Sequence, residues 1–146
     1  MSELVQKATD CFKEGFNCAQ AVFSTCSSGF NLDKEQALKL SCPFGSGMGG
    51  LQNTCGAVIG GFMAIGLKHG KYKKDDNDAK KLTYQKVREF AAEFDELHGS
   101  LNCRELIGCD ISTPEGVAQA REQNLFETKC LKYVKDAVSI WENKIA

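Results

Sequence analysis

The spacing of apolar residues constrains the fold of this chain more than any other feature of its sequence. Apolar side chains recur at intervals of three and four residues along most of the chain, which is the spacing of one face of an α-helix. The clearest run predicts a helix from Asp78 to Leu97, with Phe90 and Phe94 on its inward stripe. No segment shows the alternation of apolar and polar residues that is typical of a β-strand. The sequence therefore predicts an all-α fold, a compact bundle of about five to seven helices with a glycine-rich loop.

Other helices are predicted where residues that favour helix starts precede apolar runs. The stripe of the last predicted helix, over 126–141, should face the stripe over 83–97 or share a core with it, and Leu97 counts among the inward positions. The charged segment from Lys68 to Asp78 is interpreted as a solvated linker. The remaining predicted helices cover residues 2–14, 18–27, 33–41, about 54–68 and 125–144, with short ones after Asn102 and Thr113.

Composition and charge limit the function classes that are open to the chain. Its length predicts one domain, residues 1–146, with its own core. The formal net charge is -1 and the pI is about 6.1, so nothing favours binding to nucleic acid or to an anionic membrane. No apolar run has the length of a membrane span, and the first residues lack the regions of a signal peptide. A cytoplasmic location is the expectation that follows.

Cysteine is unusually frequent for a chain that is expected to stay in a reducing compartment. The cysteines should then be largely reduced, which favours metal ligation or redox chemistry over a disulfide framework. No two of them have the CxxC spacing, and this disfavours a thioredoxin motif or the paired knuckles of most zinc sites. The eight residues are Cys11, Cys18, Cys26, Cys42, Cys55, Cys103, Cys109 and Cys130.

A glycine-rich stretch covers residues 42–61 and overlaps the first part of the helix predicted at about 54–68. Because glycine has no Cβ, backbone there can adopt positive φ or press close to a neighbouring group, and its N–H groups can surround an anion or sulfur atoms. No strand precedes the stretch, so a dinucleotide-binding loop is disfavoured. Glycines inside the helix also suit close packing against a neighbouring helix. The candidate binding residues are Gly45, Gly47, Gly49, Gly50 and Gly56.

Cys18, Cys55 and Cys103 each follow an Asn or Thr that is well suited to begin a helix. At such positions the unpaired N–H groups and the helix dipole favour a thiolate. We therefore expect these three thiols to have lowered pKa values and, together with Cys130 from the inward stripe of the last helix, to lie around one pocket roofed by the loop from Gly45 to Gly50. Cys130 is predicted to lie in the middle of the last helix and to face the core.

The other four cysteines are weaker candidates for redox chemistry or metal ligation. Cysteine often packs as a small apolar residue, and this interpretation is favoured for Cys11, Cys26 and Cys42. Cys109 is left open, because it lies on a predicted turn only a short distance after Cys103.

Several motifs together resemble the C_GCAxxG_C_C family of redox-active proteins. The resemblance extends over nearly the whole chain, and the order of the cysteines around the glycine-rich loop makes it specific. It implies that Cys18, Cys55, Cys103 and Cys130 correspond to the four cysteines that define the family. The motifs are Phe16–Val22, Gly45–Gly50, Cys55–Gly60, Asn102–Gly108 and Cys130.

The leading hypothesis is a redox protein that uses these four cysteines. They would either ligate an iron–sulfur cluster for electron transfer or carry out thiol–disulfide chemistry with a redox partner protein or a small thiol or sulfur compound. A structural zinc site in a helical module without redox activity is the alternative, with the same four cysteines as metal ligands. A third interpretation is a bundle whose cysteines only pack. Whether the protein is an enzyme or a homodimer is left open.

Overall fold

The computed structural model describes residues 1–146 and contains eight α-helices and no β-strand. The all-α prediction is confirmed, with one helix more than the expected range. A 3₁₀ turn at Cys42–Phe44 follows the third helix, and a π-helical turn at Phe126–Cys130 precedes the last. The helices are α1 Glu3–Lys13, α2 Cys18–Cys26, α3 Lys34–Ser41, α4 Gly56–His69, α5 Asn77–His98, α6 Cys103–Ile107, α7 Pro114–Glu122 and α8 Leu131–Lys144. None of them combines the length and the apolar character that a membrane span requires.

Side-chain caps define most of the helix starts. Asp33 and Thr113 each accept a hydrogen bond from the backbone N–H three residues further on, and so begin α3 and α7. Gly99 and Gly108 end α5 and α6 in the left-handed conformation, with φ of 79° and 71°. These ends follow the rule that glycine tolerates positive φ after a helix. The predicted boundaries of these helices are therefore close to the observed ones.

The main core lies between α1, α2, α4, α5 and α8. Phe94 of α5 is fully buried, and it shares the main core with the stripe residues Val134, Ala137 and Trp141 of α8, so the two predicted stripes meet in one core at these positions. The prediction for Leu97 is wrong, because its side chain is 57% exposed. His98 takes the inward position instead, since it follows Phe94 by four residues and its ring centroid lies 4.7 Å from that of Phe94.

Helices α2 and α4 pack closely because α4 contributes glycines to the contact. A Cβ atom on Gly60 would lie 2.9 Å from the carbonyl oxygen of Ala19, and one on Gly61 would collide with the ring of Phe90. A side chain at Gly60 would therefore push α4 away from α2, and one at Gly61 would push it away from α5. The close approach also brings the N-terminal ends of α2 and α4 together, and each of these ends carries a cysteine.

A second, smaller apolar cluster lies beside the main core and is formed around α6 and α7. Its buried members are Cys103, Ile107, Ile111 and Ala120, and Cys130 packs against them. The chain enters the second cluster between α5 and α6 and returns to the main core in α8. A cavity remains between the clusters, and it is lined by residues of both.

Candidate functional site

The cavity between the two clusters has a volume of about 510 Å³. Cys18, Cys55, Cys103 and Cys130 all line it, although they come from four separate parts of the chain. Most of the lining is apolar, and the glycine-rich loop forms part of the wall. The loop and α4 residues that line the cavity are Gly45, Ser46, Gly49, Gly50 and Gly56.

Gly47 is the one predicted binding glycine that does not line the cavity. Its φ is +69°, and a Cβ there would lie 2.5 Å from Cα of Gln52 and 2.7 Å from Cβ of Cys103. The absence of a side chain therefore allows the loop to fold tightly against Gln52 and Cys103. In this structure Gly47 shapes the loop, and it does not contribute to the wall of the cavity.

Cys18 is the first residue of α2, as the capping argument predicts. The Asn17 side chain accepts a hydrogen bond from the N–H of Gln20, and the Gln20 side chain accepts one from the N–H of Asn17. The Asn17 amide also donates to the carbonyl of Cys42 at 3.0 Å. This capping box fixes the start of α2 and attaches it to the turn after α3. The half-buried Cys18 thiol is thereby held at the cavity.

Cys55 is the N-cap of α4, one residue before the position predicted for it. The difference arises because Thr54 pairs with Asn102 in an antiparallel bridge and does not cap the helix. In this pairing the N–H of Cys55 donates to the carbonyl of Leu101, and the N–H of Cys103 donates to that of Asn53, both at 2.7 Å. The bridge therefore joins the segments that begin α4 and α6, with Cys55 and Cys103 diagonally across it.

Cys130 does not lie in the middle of an α-helix, so that prediction is wrong. It ends the π-helical turn at Phe126–Cys130 and directly precedes α8. A π-helical turn contains more residues than an α-helical turn. The residues of this turn therefore do not continue the inward face of α8. Cys130 consequently packs against the second cluster, whereas Val134 and Trp141 of α8 belong to the main core.

The Cys18 thiol has a lowered pKa, of about 7. The largest cause is the thiol of Cys55, which can donate a hydrogen bond to the Cys18 thiolate, and the backbone N–H groups of Ser46 and Ala19 act in the same direction. These effects outweigh burial, which alone would raise the pKa. Cys18 is thus the thiol of the cavity that is best suited to be a nucleophile at neutral pH.

The thiols of Cys55, Cys103 and Cys130 have raised pKa values. The contact with Cys18 and burial raise the pKa of Cys55 well above its usual range. Burial raises the pKa of Cys103 to about 11 and that of Cys130 to about 12. The expected lowering is therefore wrong for Cys55, where the contact with Cys18 is the largest cause of the raised pKa, and for Cys103, where loss of hydration exceeds the effect of the helix start.

The arrangement does not fit a single metal ion. A closed zinc site needs four ligands around one centre, with metal–sulfur distances of about 2.3 Å. No three His, Cys, Asp or Glu side chains are grouped closely enough to hold a metal ion. The four cysteines instead surround an open space, and all eight cysteines are free thiols.

The remaining cysteines divide between the core and the cavity. Cys11 and Cys26 are buried in the main core, as expected, and burial raises the pKa of both thiols. The packing interpretation is wrong for Cys42, which is exposed and lines the cavity. It lies on the 3₁₀ turn after α3, outside the core that α3 contacts. Cys109 is half-buried against the second cluster.

Sequence reasoning missed Gln52, which joins two walls of the site. Its side-chain amide donates to the carbonyl of Cys109 at 2.8 Å and accepts from the N–H of Ile111 at 2.9 Å. Gln52 therefore attaches the glycine-rich loop to the segment between α6 and α7. A glutamine in a loop carries no signal for such a role, since both of its partners are backbone groups that are distant in sequence.

Gly56 begins α4 directly against Cys18, and this contact gives a testable prediction. A Cβ there would lie 2.5 Å from Sγ of Cys18 and 2.7 Å from the carbonyl oxygen of Phe44. We expect Gly56→Ala to lower the free energy of unfolding by about 1–3 kcal/mol, because the crowded groups must move. Denaturant unfolding monitored by circular dichroism measures the change.

Gly66→Ala is the matched control, because Gly66 lies in the same helix with open space around its Cβ position. This variant should raise the free energy of unfolding by up to about 1 kcal/mol, since alanine loses less backbone freedom than glycine on helix formation. The contact between Gly56 and Cys18 would be contradicted if both variants were equally stable.

Comparison with known proteins gives one match. A family model described as "Putative redox-active protein (C_GCAxxG_C_C)" matches residues 16–144, which include all four cysteines discussed above. No curated protein and no solved structure matches the chain.

Proposed function

The chain belongs to the C_GCAxxG_C_C family of redox-active proteins, and from this premise we propose that it is a thiol–disulfide redox protein. Cys18 is the attacking thiol and Cys55 is the thiol that resolves the intermediate. Cys103 and Cys130 line the same cavity but remain protonated at neutral pH, because burial raises the pKa of both. They accordingly have no role in the first step.

The contact between the Cys18 and Cys55 thiols at the cavity carries the proposal, and this contact is the main cause of the lowered pKa of Cys18. A cysteine with a pKa near 7 is about half thiolate at neutral pH, whereas one with an ordinary pKa near 8.5 is only a few per cent thiolate. Thiol–disulfide exchange also proceeds best when the pKa of the attacking thiol lies near the ambient pH. Cys18 meets this condition, and Cys55 is in contact with it.

The reaction has two steps, in which a disulfide substrate is reduced and the cysteine pair is oxidised. The Cys18 thiolate attacks one sulfur of the substrate, the substrate S–S bond breaks, and one thiolate leaves. Cys55 then gives its proton to a departing thiolate and attacks Sγ of Cys18. This second step breaks the mixed disulfide, releases the other half of the substrate and forms a Cys18–Cys55 disulfide. Two electrons pass from the pair to the substrate.

The contact between the two thiols also orders the steps. The charge and the hydrogen bond of the Cys18 thiolate contribute to the raised pKa of Cys55, so Cys55 stays protonated while Cys18 is free. Once Cys18 is in a mixed disulfide it carries no charge, and both of these contributions disappear. The pKa of Cys55 then falls, which favours its attack when it is needed.

An iron–sulfur cluster is the second candidate, because four cysteines from separate elements line one cavity. Cysteine thiolates are the usual ligands of such clusters, and the cluster would supply one-electron transfer. Cys18, Cys55, Cys103 and Cys130 would hold it. Ligation would require Cys103 and Cys130 to lose their protons despite their raised pKa values. The dithiol mechanism requires only Cys55 to lose its proton, after Cys18 has entered the mixed disulfide.

Alkylation followed against pH tests the assignment of Cys18. We expect the rate of Cys18 labelling by iodoacetamide, measured by peptide mass spectrometry, to reach half its maximum near pH 7. Cys55→Ala should move this midpoint upward, because the donor that stabilises the thiolate is removed. Cys103 is the internal control and should stay largely unlabelled at neutral pH. Preferential labelling of Cys103, or a Cys18 midpoint near that of free cysteine, would contradict the assignment.

A further inference from the structure

We propose that the cavity beside Cys18 binds a small disulfide that has an apolar body and an anionic group such as a carboxylate or sulfonate, and that Arg121 holds the anion. This inference rests on the proposed thiol–disulfide function and names the class of its substrate. Three observations carry it: the size of the cavity, the character of its wall, and the position of its one charged side chain.

The size and wall of the cavity suit a small organic molecule. Its volume of about 510 Å³ lies within the range of small-molecule sites. Eight of the 21 lining residues are aromatic or aliphatic and five are glycines, so an apolar body would lose contact with water on binding. Among them are Phe12, Phe16 and Phe126.

Burial of the reactive pair favours a small substrate over a disulfide on a protein surface. Cys55 is only 5% exposed, and Cys18 is half-buried at the packed starts of α2 and α4. Both thiols line the cavity. A disulfide must therefore enter the cavity to react with Cys18, and a bulky folded partner cannot do so without opening the walls.

Arg121 is the only formally charged residue in the cavity lining, and no acidic residue accompanies it. Its guanidinium has neither an ion pair nor a hydrogen bond within the chain, whereas Arg104 lies 3.6 Å from a carboxylate oxygen of Asp110. A planar guanidinium binds carboxylates and similar anions through paired hydrogen bonds. An unpaired cation beside an apolar wall thus matches a ligand that is apolar at one end and anionic at the other.

Two aryl disulfide probes that differ in charge test the proposal. Dithiobis(nitrobenzoate) carries carboxylates, and dithiodipyridine is uncharged at neutral pH. Stopped-flow absorbance follows the reaction phase that belongs to Cys18, which is identified by its absence in Cys18→Ser. We expect this phase to saturate with the carboxylate probe, and Arg121→Gln to raise the half-saturating concentration about tenfold. The reaction with the uncharged probe should change less than twofold.

Arg104→Gln is the matched control, because it removes the same charge from a residue outside the cavity lining. It should leave the reactions with both probes close to those of the unsubstituted protein. Equal effects of the two arginine variants, or equal effects of Arg121→Gln on the two probes, would overturn the role of Arg121. In that case the loss of the fast phase in Cys18→Ser would still support the proposed function, whereas its persistence would overturn both proposals.

Discussion

Cys18→Ser is expected to slow the fast reaction of the protein with a disulfide by at least about 100-fold at neutral pH. The reason is that burial, which the substitution leaves in place, still raises the pKa of the remaining thiol of the pair, Cys55, even after the contribution of Cys18 is lost. The release of dithiodipyridine-derived thione, followed by stopped-flow absorbance, measures this rate. Cys55→Ser should still release the first thione, when Cys18 attacks the probe, but not the second. The other half of the probe then stays on Cys18 as a mixed disulfide.

Cys26→Ser is the matched control for these two variants. Cys26 lies on the same helix as Cys18 but is buried in the main core, and burial raises its pKa. Its replacement should leave both releases intact. A Cys18→Ser variant that retained the fast phase, or a Cys55→Ser variant that still released both halves of the probe, would contradict the two assigned roles.

Phe94→Ala is expected to lower the free energy of unfolding by about 3–5 kcal/mol, because a large, fully buried side chain would be replaced by a cavity. The ring packs between α5 and α8, beside His98 and Tyr133. Urea unfolding monitored by circular dichroism measures the loss.

Leu97→Ala, on the same helix and largely exposed, is the control and should change this free energy by no more than about 0.5 kcal/mol. If the two variants lost similar stability, the inward face of α5 would be wrongly assigned.

The helices could be predicted from the sequence because their signals are local. Asn17 and Asp33 cap helices within three residues of themselves, and Gly99 ends α5 through its own backbone conformation. The apolar stripe through Phe90 and Phe94 likewise repeats within one helix. Such features depend on neighbours along the chain, so they can be recognised without knowledge of the fold.

The details of the site could not be predicted, because they depend on contacts between distant segments. The bridge between Thr54 and Asn102 takes the place of a cap and moves the start of α4 to Cys55. The side chain of Gln52 bonds to backbone groups more than 50 residues away. The pKa values of the thiols also depend on distant contacts. A helix start predicts a lowered pKa for Cys103, but burial by other segments raises it.

The central claim is that Cys18 and Cys55 are the pair that is oxidised when the protein reduces a disulfide. The most direct measurement is peptide mapping by mass spectrometry of anaerobically purified protein after one equivalent of dithiodipyridine has reacted, with iron, zinc and sulfide determined on the same sample. We expect a Cys18–Cys55 disulfide as the main linkage and no stoichiometric metal or sulfide. A sample that holds iron and sulfide on these cysteines, or one in which the main linkage excludes Cys18 or Cys55, would contradict it.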